Sequence, residues 1–276
     1  MIGSIIGRSK NILKRALYRL GLYNGLRYST LYAFYLRLRN SSYLKFQSRQ
    51  LRMYKSLVGV GKNLLIFDIG ASCGTKTAIF LRLGAKVVAI EPDRTCLKVL
   101  KMRFGNNKNV IIVDKAVSDK TGFEKFYITG GGSGFNTLSN KWKGVLENPG
   151  INRFGYKIRF DTLCDTQAVV SLGDLFRQFS LPYYIKIDAE GYERNVISGL
   201  SQAVPLLSFE VNLPEFKQEA VDCLNHLHKI TPQCKFNYSI SEKLEFKDFI
   251  LYEEFLNFFH QTRLKYMEIY CRMADD

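Results

Sequence analysis

Residues 67–77 read FDIGASCGTKT, in which a short apolar segment runs directly into a loop that contains two glycines. Gly70 and Gly74 lack a Cβ atom, so the backbone can turn tightly there and approach a ligand closely. A helical pattern begins after the loop, and the first turn of a helix offers unpaired N–H groups. Such a loop suits either a phosphate chain or an adenosine-type ligand that carries no phosphate.

The phosphate interpretation depends on a near match to a P-loop. The pattern G-x-x-x-x-G-K-[ST] fits Gly70, Lys76 and Thr77 but requires glycine where this chain has Thr75. A Cβ at that position would enter a loop that must wrap phosphate oxygens. Lys76 is then interpreted as a solvated residue of the first helical turn. A P-loop nucleotide-binding enzyme, with Asp188 as its magnesium ligand, stays as the alternative.

From Leu64 onward, short apolar segments alternate with helical patterns at about 74–83, 93–104, 192–203 and 215–229. This alternation predicts an α/β fold with right-handed crossovers and a mostly parallel seven-stranded sheet flanked by helices. Residues 119–166 are less regular and contain the Gly-rich stretch TGGGSGFNTLSNKWKG, which is predicted to be a lid over the site or a flexible loop. The predicted strands are LLIFDIG, KVVAIEP, NVIIVDKAV, YYIKIDAEG, LLSFEVN, KFNYSI and YMEIYCRM.

The ends of these strands identify the class of ligand. In a doubly wound sheet, ligands bind beyond the carboxyl ends of the strands, where the strand order reverses. Glu91 ends the second predicted strand, 21 residues after Gly70, and an acidic side chain there can accept hydrogen bonds from both ribose hydroxyls. A dinucleotide site would use G-x-G-x-x-G, which this loop lacks. The combination favours S-adenosylmethionine, which has no phosphate.

The formal charge of +15 is concentrated at the N-terminus. Residues 1–67 hold 13 Lys or Arg and no acid, which leaves 27 basic and 25 acidic side chains in the remainder. The body of the protein is therefore nearly neutral, and no specific nucleic-acid partner is predicted. We divide the chain into a basic amphipathic helical appendage (1–60) and a catalytic domain (61–276).

The appendage contains two helical patterns. Residues 5–20 place apolar and arginine side chains on different sides of a helix, and residues 28–57 mix aromatic with basic side chains. Three interpretations stay open: a cap packed on the core, a peripheral contact with an anionic membrane or polymer, and an organellar presequence. The apolar side chains of the first pattern are Ile5, Ile12, Leu13, Ala16 and Leu20, and its arginines are Arg8, Arg15 and Arg19.

Six cysteines form no C-x-x-C pair and have no metal-ligand spacing with the three histidines, so no metal site is predicted. Arg8 and Lys10 interrupt the first apolar run, which excludes a secretory signal. No run approaches the roughly 18 apolar residues of a membrane span. These features predict a cytoplasmic protein, peripheral to a membrane if the appendage binds one.

The segments FDIGASCGTKTAIFLRLGAKVVAIEPD, VIIVDKAVSDKTG, YYIKIDAEGYERNVISGL and LLSFEVN, in this order, resemble the FkbM-type methyltransferases. The resemblance runs from about residue 64 to the C-terminus. It implies a class I methyltransferase (Rossmann-like) fold, S-adenosyl-L-methionine as cofactor, and O-methylation of a hydroxyl on a sugar, glycan or related metabolite. A methyltransferase fold that binds without catalysing is a further alternative.

The resemblance also implies the site residues. The chain departs from the family pattern in two places. In the first, Ser72 and Cys73 stand where Asn and a small or aliphatic residue are usual. Gly173 replaces an Asp before the helix that precedes the fourth strand, and Asp174 is expected to cap that helix instead. The predicted cofactor-binding residues are Asp68, Gly70, Ala71, Ser72, Gly74, Thr77, Glu91, Asp114 and Ala116, and the predicted catalytic residues are Asp188, Glu190 and Glu193.

Methyl transfer to a hydroxyl requires alignment of the reacting atoms and removal of a proton from the alcohol. Positioning can supply several kcal/mol, and a general base contributes about 10²–10⁴-fold. Asp188 ends the fourth predicted strand, and an ionisable group there would otherwise need compensation for burial. Glu190 and Glu193 are further candidates for the base, although both can instead stabilise the start of the next helix.

Overall fold

The computed structural model describes residues 41–61, 64–161, 165–241 and 243–273. The predicted helix at 5–20 lies outside these residues. The described chain contains eight helices: α1 (Ser41–Val58), α2 (Thr75–Arg82), α3 (Arg94–Phe104), α4 (Asn140–Glu147), α5 (Leu172–Phe179), α6 (Glu193–Ser198), α7 (Lys217–Ile230) and α8 (Tyr252–Gln261). Its strands are β1 (Leu65–Ile69), β2 (Lys86–Ile90), β3 (Val110–Val113), β4 (Ala116–Ser118), β5 (Gly122–Phe126), β6 (Asp165–Ser171), β7 (Tyr184–Ile187), β8 (Leu206–Asn212), β9 (Lys235–Ser239), β10 (Ile250–Leu251) and β11 (Tyr266–Arg272).

The main sheet has the strand order β3-β2-β1-β7-β8-β11-β9-β10. Strand β1 pairs in parallel with both β2 and β7, and β7 pairs in parallel with β8. Strand β11 is antiparallel to both β8 and β9, and the two-residue edge strand β10 is antiparallel to β9, so β10 and β11 run opposite to the other strands of this sheet. The predicted α/β fold is confirmed, because all seven predicted strands are present and β10 is added at the edge. The strand order reverses between β1 and β7.

Residues 119–166 are more regular than the sequence indicates. Strands β4, β6 and β5 form a separate three-stranded sheet, with β4 parallel and β5 antiparallel to β6. Helix α4 lies between β5 and β6 in the chain. The Ser139 side chain caps it by accepting a hydrogen bond from the Trp142 backbone N–H. Trp142 is almost fully buried in the main core. The stretch therefore adds a small second layer beside the end of β7.

The core lies on both faces of the main sheet. Because both faces are covered, the inner strands carry continuous apolar runs rather than alternating ones. On one face, Phe67, Ile185 and Phe209 pack with residues of α5, α6 and α7. On the other face, Ile66 and Tyr184 pack with α1 and α2.

Helix α1 is part of this second core. Tyr54 is fully buried, with its ring centroid 5.0 Å from that of Phe80 in α2 and 6.1 Å from that of Tyr184 in β7. Leu57 and Val58 are buried in the same cluster. The part of the appendage that the structure describes is thus packed on the core. No helix of the described residues is long and apolar enough to cross a bilayer.

Two helix ends differ from prediction. Ser171, not Asp174, caps α5: the Ser171 Oγ accepts a hydrogen bond from the Asp174 N–H at 3.1 Å and donates one to Asp174 Oδ2 at 2.9 Å. Asp174 lies within the first turn, so its position is too late for a cap. Helix α6 ends at Ser198 rather than near 203, and Gly199 follows at the point where the Asp119 backbone approaches closely.

Candidate active site

A cleft opens at the carboxyl edge of the sheet, where the strand order reverses. Its volume is about 800 Å³, including the space that is open to solvent at its mouth. The ends of β1, β2, β4 and β7 form its walls, and residues 130–137, which we call the roof segment, cover one side. The lining residues are Ile69, Gly70, Ser72, Ile90, Glu91, Pro92, Cys96, Ala116, Val117, Phe126, Ser133, Gly134, Asn136, Thr137, Leu138, Asp188, Ala189 and Glu190.

Gly70 lies where the loops after β1 and β7 come closest. Its φ is 72°, and its N–H donates to the Ile90 carbonyl oxygen at 3.0 Å. A Cβ on this residue would lie 1.8 Å from the carbonyl oxygen of Asp188. A side chain cannot occupy that space, so glycine at position 70 is what allows the two loops to meet.

Gly74 and Ala71, in the same 67–77 segment, support the loop without lining the cleft. Gly74 is the N-cap of α2 with φ 76°, and a Cβ there would lie 2.4 Å from Phe104 Cε2. Ala71 is buried with Ala89, Leu100 and Phe104 in a small cluster against α3. Neither Ala71 nor Gly74 lines the cleft. The structure places both as packing residues that let the loop approach α3.

Glu91 lies in the cleft wall and is held by backbone amides. Its Oε2 accepts from the Ser72 N–H at 2.7 Å, and its Oε1 accepts from the Asp93 N–H at 2.8 Å. Ser72 adopts the left-handed conformation, with φ 49°, to make this bond. Burial raises the pKa of Glu91 to about 7, although the two amide bonds act in the opposite direction. Each carboxylate oxygen keeps a second lone pair for a ligand hydroxyl.

We expect Glu91 to make the stability of the ligand-free protein fall as pH rises. The Glu91 carboxyl has a higher pKa in the folded chain than its ordinary value of 4.5, so it keeps its proton up to a higher pH. The contribution to stability is therefore complete below about pH 4.5 and is lost as pH rises through about 7. A pKa unit corresponds to about 1.4 kcal/mol, so the loss is on the order of 3 kcal/mol.

The measurement is thermal unfolding of the wild type and Glu91→Gln between about pH 5 and pH 8. The stability difference between wild type and variant should shrink toward high pH, since the amide does not titrate. The control is Glu147→Gln, a carboxylate on α4 outside the cleft. If wild type and Glu91→Gln lose stability in parallel, Glu91 is not the titrating group.

Asp68 and Thr77 lie beneath the loop and do not line the cleft. Both side chains are fully buried, and the Thr77 Oγ1 donates a hydrogen bond to Asp68 Oδ2 at 2.6 Å. Burial raises the pKa of Asp68 despite the nearby Lys186 and the Thr77 hydroxyl. This bond connects the end of β1 to the first turn of α2, so it fixes the geometry of the loop between them.

The prediction that Lys76 is solvated was wrong. Its Nζ lies 5.2 Å from the centre of the Tyr54 ring, because α1 packs over the first turn of α2. Burial lowers the pKa of the Lys76 ammonium, although Glu268 acts in the opposite direction. The amine therefore extends toward α1, and it does not line the cleft.

Asp114 and Ala116, both predicted to bind the cofactor, differ in their placement. Ala116 is buried and lines the cleft, whereas Asp114 is exposed and lies outside the lining. Val117 and Phe126 complete this apolar wall. The sequence pattern does not single them out, because Val117 ends the predicted strand NVIIVDKAV and Phe126 lies in the less regular stretch 119–166.

Asp188 presents a carboxylate to the cleft at the end of β7. Its side chain is 27% exposed, and its Oδ2 lies 2.9 Å from the Nζ of Lys186, which is 1% exposed. Burial alone would lower the pKa of Lys186, but Asp188 and Glu210, with more distant acids, hold it well above its usual range. Lys186 is therefore a permanent cation that orients Asp188 toward the cleft.

Glu190 and Glu193 follow in the same segment but differ in placement. Glu190 lines the cleft with φ 52°, and burial, then Asp188 and Glu210, raises the pKa of its carboxyl well above the usual range. Glu193 lies outside the cleft lining, and burial raises its pKa to about 7. Its Oε1 accepts from the N–H groups of Ala189 at 2.9 Å and Gly191 at 3.2 Å. These bonds fit the interpretation that Glu193 shapes the turn before α6.

The roof segment is tied down at both ends. Asp93 accepts hydrogen bonds from the Gly132 N–H at 3.1 Å and from Asn136 Nδ2 at 2.8 Å, while it also caps α3. The Thr137 Oγ1 donates to the carbonyl oxygen of Glu190 at 2.7 Å. The segment is thus a fixed wall of the cleft. Sequence analysis missed Asp93, although its place directly before a helical pattern is typical of an N-cap.

Residues 68–263 match the family profile described as the methyltransferase FkbM domain. The chain belongs to the FkbM methyltransferase family. It is therefore an S-adenosylmethionine-dependent methyltransferase with a class I fold. A search of curated proteins found no match.

Three solved structures that are similar to this FkbM methyltransferase are the following. The plantazolicin methyltransferase BpumL, in complex with a monoazolic desmethylPZN analogue and SAH, is 11% identical with a TM-score of 0.42, and the match covers 95% of this chain and 94% of that one. The C-terminal domain of precorrin-6Y C5,15-methyltransferase from Rhodobacter capsulatus is 10% identical with a TM-score of 0.41, covering 82% and 89%. A TehB-like SAM-dependent methyltransferase from Corynebacterium glutamicum is 8% identical with a TM-score of 0.40, covering 82% and 88%.

The cleft residues fit S-adenosylmethionine. Glu91 lines the cleft, and each of its carboxylate oxygens has a lone pair left for a ribose hydroxyl. Among the described residues, the lining contains no Lys or Arg, as expected for a ligand without phosphate. The P-loop alternative is wrong, because Lys76 turns toward Tyr54 and Thr77 bonds to Asp68.

Proposed function

We propose that this FkbM methyltransferase O-methylates a hydroxyl group on a sugar, a glycan or a related metabolite. The observation that carries the proposal is the Asp188 carboxylate, which lies in the cleft and is held by the buried Lys186 ammonium at 2.9 Å. An alcohol does not ionise near neutral pH, so its methylation needs a group that accepts the proton. When bound in the cleft, S-adenosylmethionine supplies an electrophilic methyl group on its sulfonium sulfur.

In this proposal, Asp188 and Glu190 have different roles. Asp188 is the general base, because its carboxylate faces the cleft and the Lys186 ammonium at 2.9 Å holds its orientation. Burial and the neighbouring Asp188 raise the pKa of the Glu190 carboxyl, and we assign Glu190 as the residue that contacts the acceptor hydroxyl beside the base. Glu193 positions both through its bonds to the Ala189 and Gly191 amides.

The predicted cofactor residues also divide into two groups. Gly70, Ser72, Glu91 and Ala116 line the cleft, and we propose that they contact the cofactor. The other group holds the loop in shape without lining the cleft, and it consists of Asp68, Ala71, Gly74 and Thr77. Asp114 is exposed, and its contact with the cofactor stays a prediction.

The polar groups at the acceptor end of the cleft favour a neutral hydroxylated acceptor. Ser133 brings a hydroxyl group from the roof segment into the cleft lining, which also contains Asp188 and Glu190. The polar atoms of Asn136 and Thr137 are instead bonded within the protein and hold the segment in place. Hydroxyl and carboxyl groups pair well with sugar hydroxyls. The lining among described residues offers no cation to pair with a phosphate. We therefore place unphosphorylated sugars and glycans ahead of phosphorylated ones.

Two measurements test the proposal. Isothermal titration should give heat with S-adenosylmethionine and none with ATP. A methyl-transfer screen should then compare neutral sugars, glycans and nucleotide sugars with matched amine and carbon acceptors, read by mass spectrometry. Products methylated on oxygen support the proposal, and products methylated only on nitrogen or carbon would overturn it. Cofactor binding without turnover on any acceptor would favour a binding module instead.

A further inference from the structure

Two reduced cysteines lie side by side at the wall of the cleft. The Sγ atoms of Cys73 and Cys96 are 3.9 Å apart. A disulfide bond requires about 2.05 Å, so the sulfur atoms would have to approach each other by about 1.9 Å. Cys73 lies in the loop between β1 and α2, and Cys96 lies in the first turn of α3. Such a movement is within the reach of side-chain rotation and a small loop shift.

Both thiols belong to elements that shape the cofactor site. Cys96 lines the cleft itself, and Cys73 directly follows Ser72, whose N–H holds the Glu91 carboxylate at 2.7 Å. Arg103 donates a hydrogen bond to the carbonyl oxygen of Cys73, which fixes the other side of the loop. Any movement of Cys73 toward α3 therefore displaces the amide that orients Glu91.

We propose that Cys73 and Cys96 form a thiol–disulfide site, and that their oxidation weakens S-adenosylmethionine binding. The inference rests on the cofactor occupying this cleft. The oxidant is a low-molecular-weight disulfide such as oxidised glutathione. The half-buried Cys73 attacks one glutathione sulfur, which breaks the glutathione S–S bond and releases one glutathione thiol.

The second exchange closes the bond within the protein. Cys96 attacks the Cys73 sulfur of the mixed disulfide, and the second glutathione leaves as a thiol. In total, the two protein thiols lose two electrons and two protons, and one oxidised glutathione gains them. The contact with Cys73, followed by burial, raises the pKa of the Cys96 thiol, so the loss of its proton makes this second exchange the slower step.

Binding of the cofactor and formation of the disulfide should each disfavour the other. If the disulfide lowers the affinity for the cofactor, the bound cofactor must disfavour the disulfide by the same factor. S-adenosylmethionine in the cleft would also cover Cys96, because this side chain is 3% exposed and lines the cavity. The site therefore couples the thiol redox state to occupancy of the cleft.

The test treats the full-length protein with oxidised glutathione, with and without saturating S-adenosylhomocysteine. Tryptic peptides 63–76 and 95–98, which contain Cys73 and Cys96, should appear linked to each other in non-reduced samples. Titration should show an affinity for S-adenosylmethionine at least about tenfold lower after oxidation, and S-adenosylhomocysteine should slow the cross-link by a similar factor. Dithiothreitol should restore the affinity.

Cys73→Ser is the matched control, and Cys96→Ser is the second variant if the first does not fold. Each should bind S-adenosylmethionine equally before and after treatment. Cys234 and Cys271, fully buried in the core, should stay reduced. Absence of the linked peptides, unchanged affinity in the linked protein, or an equal loss in the control would overturn the inference. Absence of binding by the reduced protein would instead overturn the cofactor site, and this inference with it.

Discussion

Asp188→Asn is expected to reduce methyl transfer by about 10²–10⁴-fold, because the amide cannot accept the proton of the acceptor hydroxyl. The substitution keeps the shape of the side chain, and the amide oxygen can still accept a hydrogen bond from Lys186. Affinity for S-adenosylmethionine should therefore change little. The measurement is single-turnover transfer to an acceptor from the screen, combined with titration of the cofactor.

Asp222→Asn is a closely matched control. Asp222 is 34% exposed and ion-paired with Arg194 at 2.8 Å, much as Asp188 is 27% exposed and paired with Lys186 at 2.9 Å. It lies on α7, outside the cleft, so transfer should be unaffected. Glu190→Gln should lower the rate less than Asp188→Asn, since an amide still donates a hydrogen bond. Full turnover in both cleft variants would show that neither carboxylate is the base.

Gly70→Ala is expected to abolish detectable cofactor binding and to destabilise the fold by roughly 2–5 kcal/mol. About 1–2 kcal/mol comes from placing an L-residue at φ 72°, and about 1–3 kcal/mol comes from moving the Asp188 backbone away from the new Cβ. The same displacement shifts the base and opens the turn that leads to Ser72. Chemical denaturation and cofactor titration measure the two effects separately.

Comparison with Gly155→Ala separates the cost of the left-handed backbone from the cost of the contact between a Cβ at position 70 and Asp188. Gly155 has the same φ of 72°, but a Cβ there would have no atom within 4 Å. This control should show only the cost of the left-handed conformation, about 1–2 kcal/mol, with cofactor binding retained. If Gly70→Ala behaves like Gly155→Ala in both measurements, the contact between the β1 and β7 loops is not what makes glycine necessary.

The fold was predictable because its signals are local. Apolar runs of strand length, separated by helical patterns, identify the seven main strands, and only the two-residue β10 and the small second sheet were missed. Strand β5 shows why: Phe123 on it is 75% exposed, so its pattern does not resemble a buried strand. Short strands that pair outside the main sheet depend on partners that a local pattern does not contain.

The site was predictable where residues lie at strand ends. Gly70, Glu91 and Asp188 each follow a strand, and the parallel arrangement brings all three to one edge. The direction in which a side chain points is harder to predict than the position of its residue beside the loop. Lys76 and Thr77 sit beside the loop in sequence, yet one turns to Tyr54 and the other to Asp68, because α1 and β1 pack against the first turn of α2.

The packing of α1 also decides where a minimal catalytic protein can begin. Charge divides the chain near residue 67, since every acidic side chain lies beyond that point. The second core has no such division, because Tyr54 fills the space between Phe80 and Tyr184. A truncated protein that started at residue 61 would leave these two rings facing water, directly behind the helix that anchors the cofactor loop. The shortest version worth expressing therefore retains α1.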